Sequence, residues 1–212
     1  MTAEELQLRR ILVGASGFLY WGGVLIQARR VRKQIGRSPN LKPRGRKEKA
    51  LWLGWLVVIV VWMGQPFWIG ADVARAVPNV FASWWHPAGL TLGALLVGAG
   101  YAGTLWCYAA MGNTWRIGIN RKEKNTLVRH GPYRLVRHPI YLFQVVMLAG
   151  AALLLPTPAS CFILVLHCLC ALLKAVDEEK YLTTVHGNAY RDYMAVTGRL
   201  FPRFFRSRPA PE

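Results

Sequence analysis

Apolar positions along the chain fall into five blocks, 11–28, 50–71, 88–112, 139–155 and 159–173, divided by polar intervals that are mostly basic. Each block approaches or reaches the length of about 20 residues that a helix needs to cross a hydrocarbon core. The first four stand apart, but "PTP" at 156–158 turns the fourth straight into the fifth, so these two read as a short helical hairpin. The pattern predicts an all-α integral membrane protein of about five transmembrane helices, one domain over 1–212. Glycines recur in the first helix (Gly14, Gly17, Gly22, Gly23) and the third (Gly93, Gly98, Gly100, Gly103). In a membrane such small residues mark positions of close helix packing.

Composition sharpens this picture. The 212 residues are 53% hydrophobic yet carry a formal charge of +17, a combination that works only if apolar and basic residues are segregated. All of the 27 Lys and Arg residues except Arg9, Arg10 and Arg75 lie in three segments, 29–49, 116–137 and from Lys174 onward. Five spans put these segments on one side. By the excess of cations in cytoplasmic segments, the N-terminus is then outside and the C-terminus cytosolic. The site expected below therefore faces the cytosol, at the cytoplasmic membrane of a bacterium or the endoplasmic reticulum of a eukaryote. Basic runs flanking apolar blocks point to a membrane surface and away from nucleic acid. Segment 29–49 reads as a loop, either an anionic-lipid contact or a plain topology signal, and Trp84 and Trp85 as interface anchors. Glu4 and Glu5 precede the first block and a basic run follows it, which predicts a retained anchor and no cleaved signal. Cys107, Cys161, Cys168 and Cys170 sit within apolar runs with no metal-ligand spacing and read as small buried hydrophobes.

Candidate chemistry lies in "HGPYRLVRHPIYLF", 130–143. Pro139 suits the first position of a helix, which places His138 at the N-cap beside free N–H groups and partial positive charge. Arg134, Arg137, His138 and Tyr141 would share one face of a helix that began early. Basic anchors before a membrane helix are the plain alternative. A second polar cluster, "KAVDEEKYLTTVHGNAYRDYM" at 174–194, leaves the fifth block. Within it Lys174 and Glu178 are spaced to pair on one helical face, whereas Glu179 lies about 100° further round. Gly187 breaks the helix, and Tyr190 and Tyr193 stack on a following turn or two. The short hairpin forces the His138/Tyr141 and Glu178/Glu179 clusters to meet at one membrane boundary, where cations, carboxylates and tyrosines would line a pocket.

These motifs in order, "GPYRLVRHPIY", "EEKYL", "HGNAYRDY" and "GRLFPR", together with "MGNTWRIGI", resemble the isoprenylcysteine carboxyl methyltransferase family over roughly 108–204, and phospholipid N-methyltransferases are similar in the same region. The resemblance implies an S-adenosylmethionine-dependent methyltransferase whose catalytic region is 108–204. Arg137, His138 and Tyr141 would bind the cofactor, Glu178 and Glu179 would hold its ammonium or ribose hydroxyls, and Tyr133, Tyr190 and Tyr193 would complete a lid. Lys174 and Glu178 would serve the reaction itself. Lys174 stands where an arginine is expected to orient an acceptor carboxylate, and it offers a point charge in place of a bidentate fork. Phe143 stands where a glycine is common and would narrow the space beside Tyr141. No GxGxxG run is present, so a Rossmann-type cofactor site is excluded. The implied partner is a lipophilic or lipidated acceptor among membrane lipids, with an isoprenylcysteine-like carboxylate ahead of a phospholipid amine or a quinone-like acid. A sterol-reductase-like enzyme using NADPH and a non-catalytic membrane subunit remain the rival readings.

Overall fold

A computed structural model describes the backbone of residues 2–40, 43, 45–69, 79–116 and 126–203, and the side chains of the same residues except 79–86. Trp84, Trp85 and Arg75 thus lie outside the described side chains. Among the described residues six α-helices follow in order: α1 Ala3–Ile35, α2 Gly45–Trp68, α3 Asn79–Met111, α4 Pro139–Leu154, α5 Pro158–His186 and α6 Asn188–Val196, with single 3-10 turns at Gly112–Thr114 and Gly131–Arg134. The protein is an all-α integral membrane protein, with four helices long and apolar enough to span and α4 as a shorter fifth.

Several helices outrun their apolar blocks, for an electrostatic reason. Helix α1 begins at a Thr2 cap that accepts from the Glu5 amide, carries Glu4 and Glu5 in its first turn and Arg32 and Lys33 in its last, and stops at Gly36 with φ +72°. Acidic residues at the start and basic ones at the end complement the helix dipole. The predicted loop 29–49 is therefore mostly helix, its first residues closing α1 and its last opening α2. Helix α5 likewise runs unbroken from Pro158 past the end of its apolar block at 173 to His186, where Gly187 ends it as expected, so the glutamate pair sits inside it.

Outward faces carry large apolar side chains, among them Ile11, Phe18, Leu53, Leu56, Phe162 and Val165, the surface that lipid would cover. Inside, α3 and α4 meet backbone to backbone. A methyl group at Gly100 would lie 2.6 Å from the Phe143 carbonyl oxygen, and one at Gly93 would lie 2.9 Å from that of Gly150. The packing role expected of the glycines holds for Gly93, Gly100 and Gly103, and on α1 for Gly17, where a methyl would press on Met63. Gly22 and Gly98 face open space. Phe143 is explained here too. Its ring occupies the notch left by Gly103, where an added methyl would sit 2.3 Å away. Residues two apart on a helix point to nearly opposite sides, so Phe143 packs on α3 and does not narrow the space beside Tyr141, contrary to expectation. Cys107 and Cys170 are buried as expected, but Cys161 is exposed on the outer face of α5.

At 16 residues, α4 rises only about 24 Å, short of a hydrocarbon core of about 30 Å. Its last carbonyls end inside the bundle, and Arg9 of α1 reaches them, donating from one guanidinium nitrogen to Leu153 O at 3.2 Å and Leu154 O at 3.0 Å. The hairpin itself is closed by Thr157, which caps α5 through Ser160 N, and by Ser160 Oγ, which donates to Leu155 O and to Gln65 of α2.

Candidate functional site

The opposite end of the hairpin gathers the candidate residues. Pro139 is the first residue of α4, and His138 is its N-cap, with an extended-side backbone and no side-chain capping bond. The preceding 3-10 turn ends at Arg134, so Arg134 does not share the helical face of His138 and Tyr141. The backbone just before α4 is pinned by the C-terminal segment. Arg137 N donates to Gly198 O at 2.9 Å, His138 N to Arg199 O at 3.1 Å, and Val136 forms a parallel bridge to Gly198. This pairing aims Arg137 and His138 at α5.

Two carboxylates receive them. Arg137 Nε donates to Glu179 Oε1 at 2.8 Å, and Arg199 donates from Nη2 and Nε to Glu179 Oε2 at 2.7 and 3.0 Å. Arg137 also donates to the carbonyls of Met194 and Thr197. Glu179 is thereby closed on both oxygens. Glu178, one position earlier, turns the other way as the 100° step requires. It accepts from Tyr141 Oη at 3.0 Å, and its second oxygen lies 3.4 Å from His138 Nδ1. His138 Nε2 lies 3.4 Å from Glu179, so the imidazole bridges the two carboxylates. Burial alone would lower its pKa, but the bonds to and charges of Glu178 and Glu179 outweigh that and raise it.

Aromatic rings complete the wall. His138 stacks on Tyr141 at 5.7 Å between centroids, and Tyr141 on Trp55 of α2 at 6.3 Å. Tyr190 and Tyr193 meet edge to face on α6, and Tyr193 Oη donates to Tyr133 O at 2.5 Å. Burial pushes the Tyr193 phenol up to about 12, so it remains a donor at neutral pH.

All this borders a cavity of about 820 Å³. Tyr133, Arg137, His138, Tyr141, Lys174, Glu178, Tyr190 and Tyr193 line it, and Glu179 does not. Eight of the nine expected site residues are thus brought together on the cavity wall, with the ninth, Glu179, behind it as the clasp that holds Arg137. Lys174 departs from the expected pairing with Glu178: its ammonium lies 3.9 Å from Glu48 of α2. Beyond the polar end the cavity continues between α1, α2, α4 and α5, along Trp55, Trp62, Leu148 and His167. Among the described residues, the buried wall atoms without a hydrogen-bond partner are Trp21 Nε1, Tyr190 Oη, Gln144 Oε1 and His167 Nε2, besides His138 Nε2 with only its 3.4 Å approach to Glu179.

Residues 88–189 match the model of the phospholipid methyltransferase family. The match covers 102 of the 212 residues. The match takes in most of α3, the RHPxY start of α4 and the glutamates of α5, so this part of the chain is similar to phospholipid methyltransferases. Among curated proteins the chain is similar to the cobalt-zinc-cadmium resistance protein CzcN of Cupriavidus metallidurans, 31% identical over 57% of this chain and 52% of that protein. It is also similar to the nickel-cobalt-cadmium resistance protein NccN of Alcaligenes xylosoxydans xylosoxydans, 29% identical over 59% of this chain and 56% of that one. The chain spans about half the length of these relatives. The family match stops before Tyr190, Tyr193 and Arg199, so these two tyrosines of α6 and the Arg199 side of the clasp lie outside the matched segment.

Several site residues escaped the sequence reading. Arg199 lay in the quoted "GRLFPR" without a role, because its partner is 20 positions away. Trp55, Gln144, Glu48 and His167 look from sequence like ordinary span residues or span ends. Only the packing of α2 and α5 around the hairpin turns them inward.

Proposed function

We propose that the protein is an S-adenosylmethionine-dependent methyltransferase acting on a lipophilic acceptor at the cytosolic membrane boundary, with a carboxylate favoured over an amine. One observation carries the reading: a single cavity joins a polar end of matched charge to a long apolar arm inside the bundle. The polar end fits the donor. Glu178 presents a carboxylate to an ammonium or ribose hydroxyls, and the unpartnered Tyr190 Oη offers a hydrogen bond to a carboxylate or hydroxyl. Tyr133, Tyr141 and Trp55 supply apolar surface. Bound there, S-adenosylmethionine supplies a methyl group on a sulfonium, and transfer breaks the S–C bond as an O–C bond forms.

The work left to the protein is placement. An in-line displacement depends on orientation and on exclusion of water, and a carboxylate acceptor needs no general base. Lys174, buried and one turn deeper than Glu178, is positioned to leave Glu48 and hold the acceptor carboxylate. Glu179 and Arg199 act through Arg137, fixing the entry to α4. The domain remains one unit over 1–212, and the basic ends of all the helices, shared with the site, support a cytosolic orientation. Membrane lipids are the expected acceptor pool, with no role for nucleic acid.

The test is calorimetric titration of S-adenosylmethionine into detergent-purified protein, with Glu178→Gln and His138→Ala alongside. The reading expects binding that each substitution weakens by more than about tenfold, ~1.4 kcal/mol. Absence of binding to folded protein, above all with binding of reduced nicotinamide dinucleotide phosphate instead, would overturn it in favour of a reductase.

A further inference from the structure

The apolar arm of the cavity is not uniformly apolar. His167 stands in the middle of α5, only 4% exposed, on the cavity wall among Val58, Ile59, Trp62 and Leu148. Its Nε2 has no partner. A buried polar atom left without a hydrogen bond costs about 1–3 kcal/mol, and an ionisable side chain within a membrane helix by default marks a site. No described residue gives or takes a hydrogen bond at this nitrogen. The group that satisfies it comes from whatever fills the arm.

Depth restricts that group. His167 is two helical turns from Lys174, about 10 Å along α5, and both line the same cavity. An acceptor held by its carboxylate at Lys174 would therefore run past His167 part-way along its hydrocarbon chain. A neutral imidazole nitrogen donates or accepts according to its tautomer, and a hydroxyl satisfies either form. We propose that His167 is a specificity-determining residue that selects a lipid acceptor bearing a hydroxyl on its chain, against the same chain without one. This rests on the reading of a carboxylate-headed lipid acceptor. A site built to bond a hydroxyl rejects the analogue that lacks it far better than an apolar pocket rejects one that has it.

The probe pair is ricinoleate and oleate, equal in chain length and double bond but differing by one mid-chain hydroxyl. Each competes with a brominated oleate that quenches the tryptophans of the arm, Trp55 and Trp62, in full-length protein in nanodiscs. Wild type is expected to bind ricinoleate at least tenfold more tightly than oleate. In His167→Leu the preference should fall to within about twofold, while His167→Gln should keep part of it. S-adenosylmethionine affinity, measured on the same samples, should stay unchanged and reports that each variant is folded. Equal binding of the two acids by wild type, a preference that survives His167→Leu, or no binding of either acid would each overturn the inference, with donor binding left intact. Loss of donor binding in wild type would instead sink the proposed function beneath it.

Discussion

Two arginines are buried at opposite ends of the hairpin, and they are used in the same way. Arg9 is 1% exposed, pairs with Glu5 at 2.8 Å and donates to two backbone carbonyls at the end of α4. Arg137 pairs with Glu179 at 2.8 Å and donates to two carbonyls that close α6. In each case a planar guanidinium gathers one carboxylate and two carbonyls that the fold would otherwise strand. The difference is what lies alongside. Arg137 borders the cavity next to His138 and the unpartnered Tyr190 Oη, whereas Arg9 is not among the residues that line it. An arginine clasp is thus a way of holding chain ends, and only its neighbours make it part of a site.

The strongest way to break this comparison is at Arg9. Arg9→Met keeps the volume but strands the Leu153 and Leu154 carbonyls and strips Glu5 of its cation. Removing one partner of a buried pair costs about 3–5 kcal/mol, so the thermal midpoint in detergent should fall sharply. Donor affinity per folded molecule should not change. If Arg9→Met left stability intact and abolished binding, the two clasps would have been assigned the wrong way round.

The two glutamates sharpen the contrast within the site. Glu179→Gln removes the charge that both Arg137 and Arg199 face, at a cost of about 2–3 kcal/mol in stability, and it should free the C-terminal segment to limited proteolysis. Glu178→Gln should leave stability within about 1 kcal/mol, because its carboxylate is part-exposed and a neutral amide can still accept from Tyr141. Its loss should appear in donor binding alone. Proteolysis kinetics and calorimetry on the pair separate a positioning residue from a contact residue.

Much of this was legible in the chain. The apolar blocks gave the spans because lipid demands long apolar helices, and the hairpin placed His138 and Glu178 together because "PTP" leaves no room for another arrangement. The 100° step separated Glu178 from Glu179 before any coordinates. Helix ends were less legible. Hydropathy stops at charges, yet Arg32 and Lys33 continue α1, whose dipole accommodates them. The roles of Arg9 and Arg199 were invisible because their partners lie on other helices or segments. Lys174 was paired with Glu178 by spacing alone, since no periodicity reports that α2 brings Glu48 alongside.

His138 gives a pH-dependent version of the same comparison. Its pKa is raised above 6.5 in the folded protein by Glu178 and Glu179. A raised value means the charged imidazole contributes stability that is fully present below about pH 6.5 and is lost as pH rises through the folded value. The thermal midpoint should decline over that window, and His138→Gln should flatten the decline. Arg9→Met, which leaves His138 and its two carboxylates untouched, should lower the whole curve and leave its shape alone. A parallel curve for His138→Gln would show that the imidazole does not bridge the carboxylates.

The smallest effect tests how the cavity wall is built. Tyr141 gives Glu178 one hydrogen bond and stacks between His138 and Trp55. Tyr141→Phe keeps both stacks and deletes only the bond, so stability should change by about 0.5–1.5 kcal/mol. Freed of the phenol, the Glu178 carboxylate has one acceptor site more to offer and less restraint on its rotamer. These act in opposite directions on a ligand ammonium, so donor affinity should move by no more than a few-fold. Tyr141→Leu removes the stacks as well and should cost more than Tyr141→Phe in both measurements. Should Tyr141→Phe alone abolish donor binding, the phenol itself would be a ligand contact, and Glu178 would be its orienting partner.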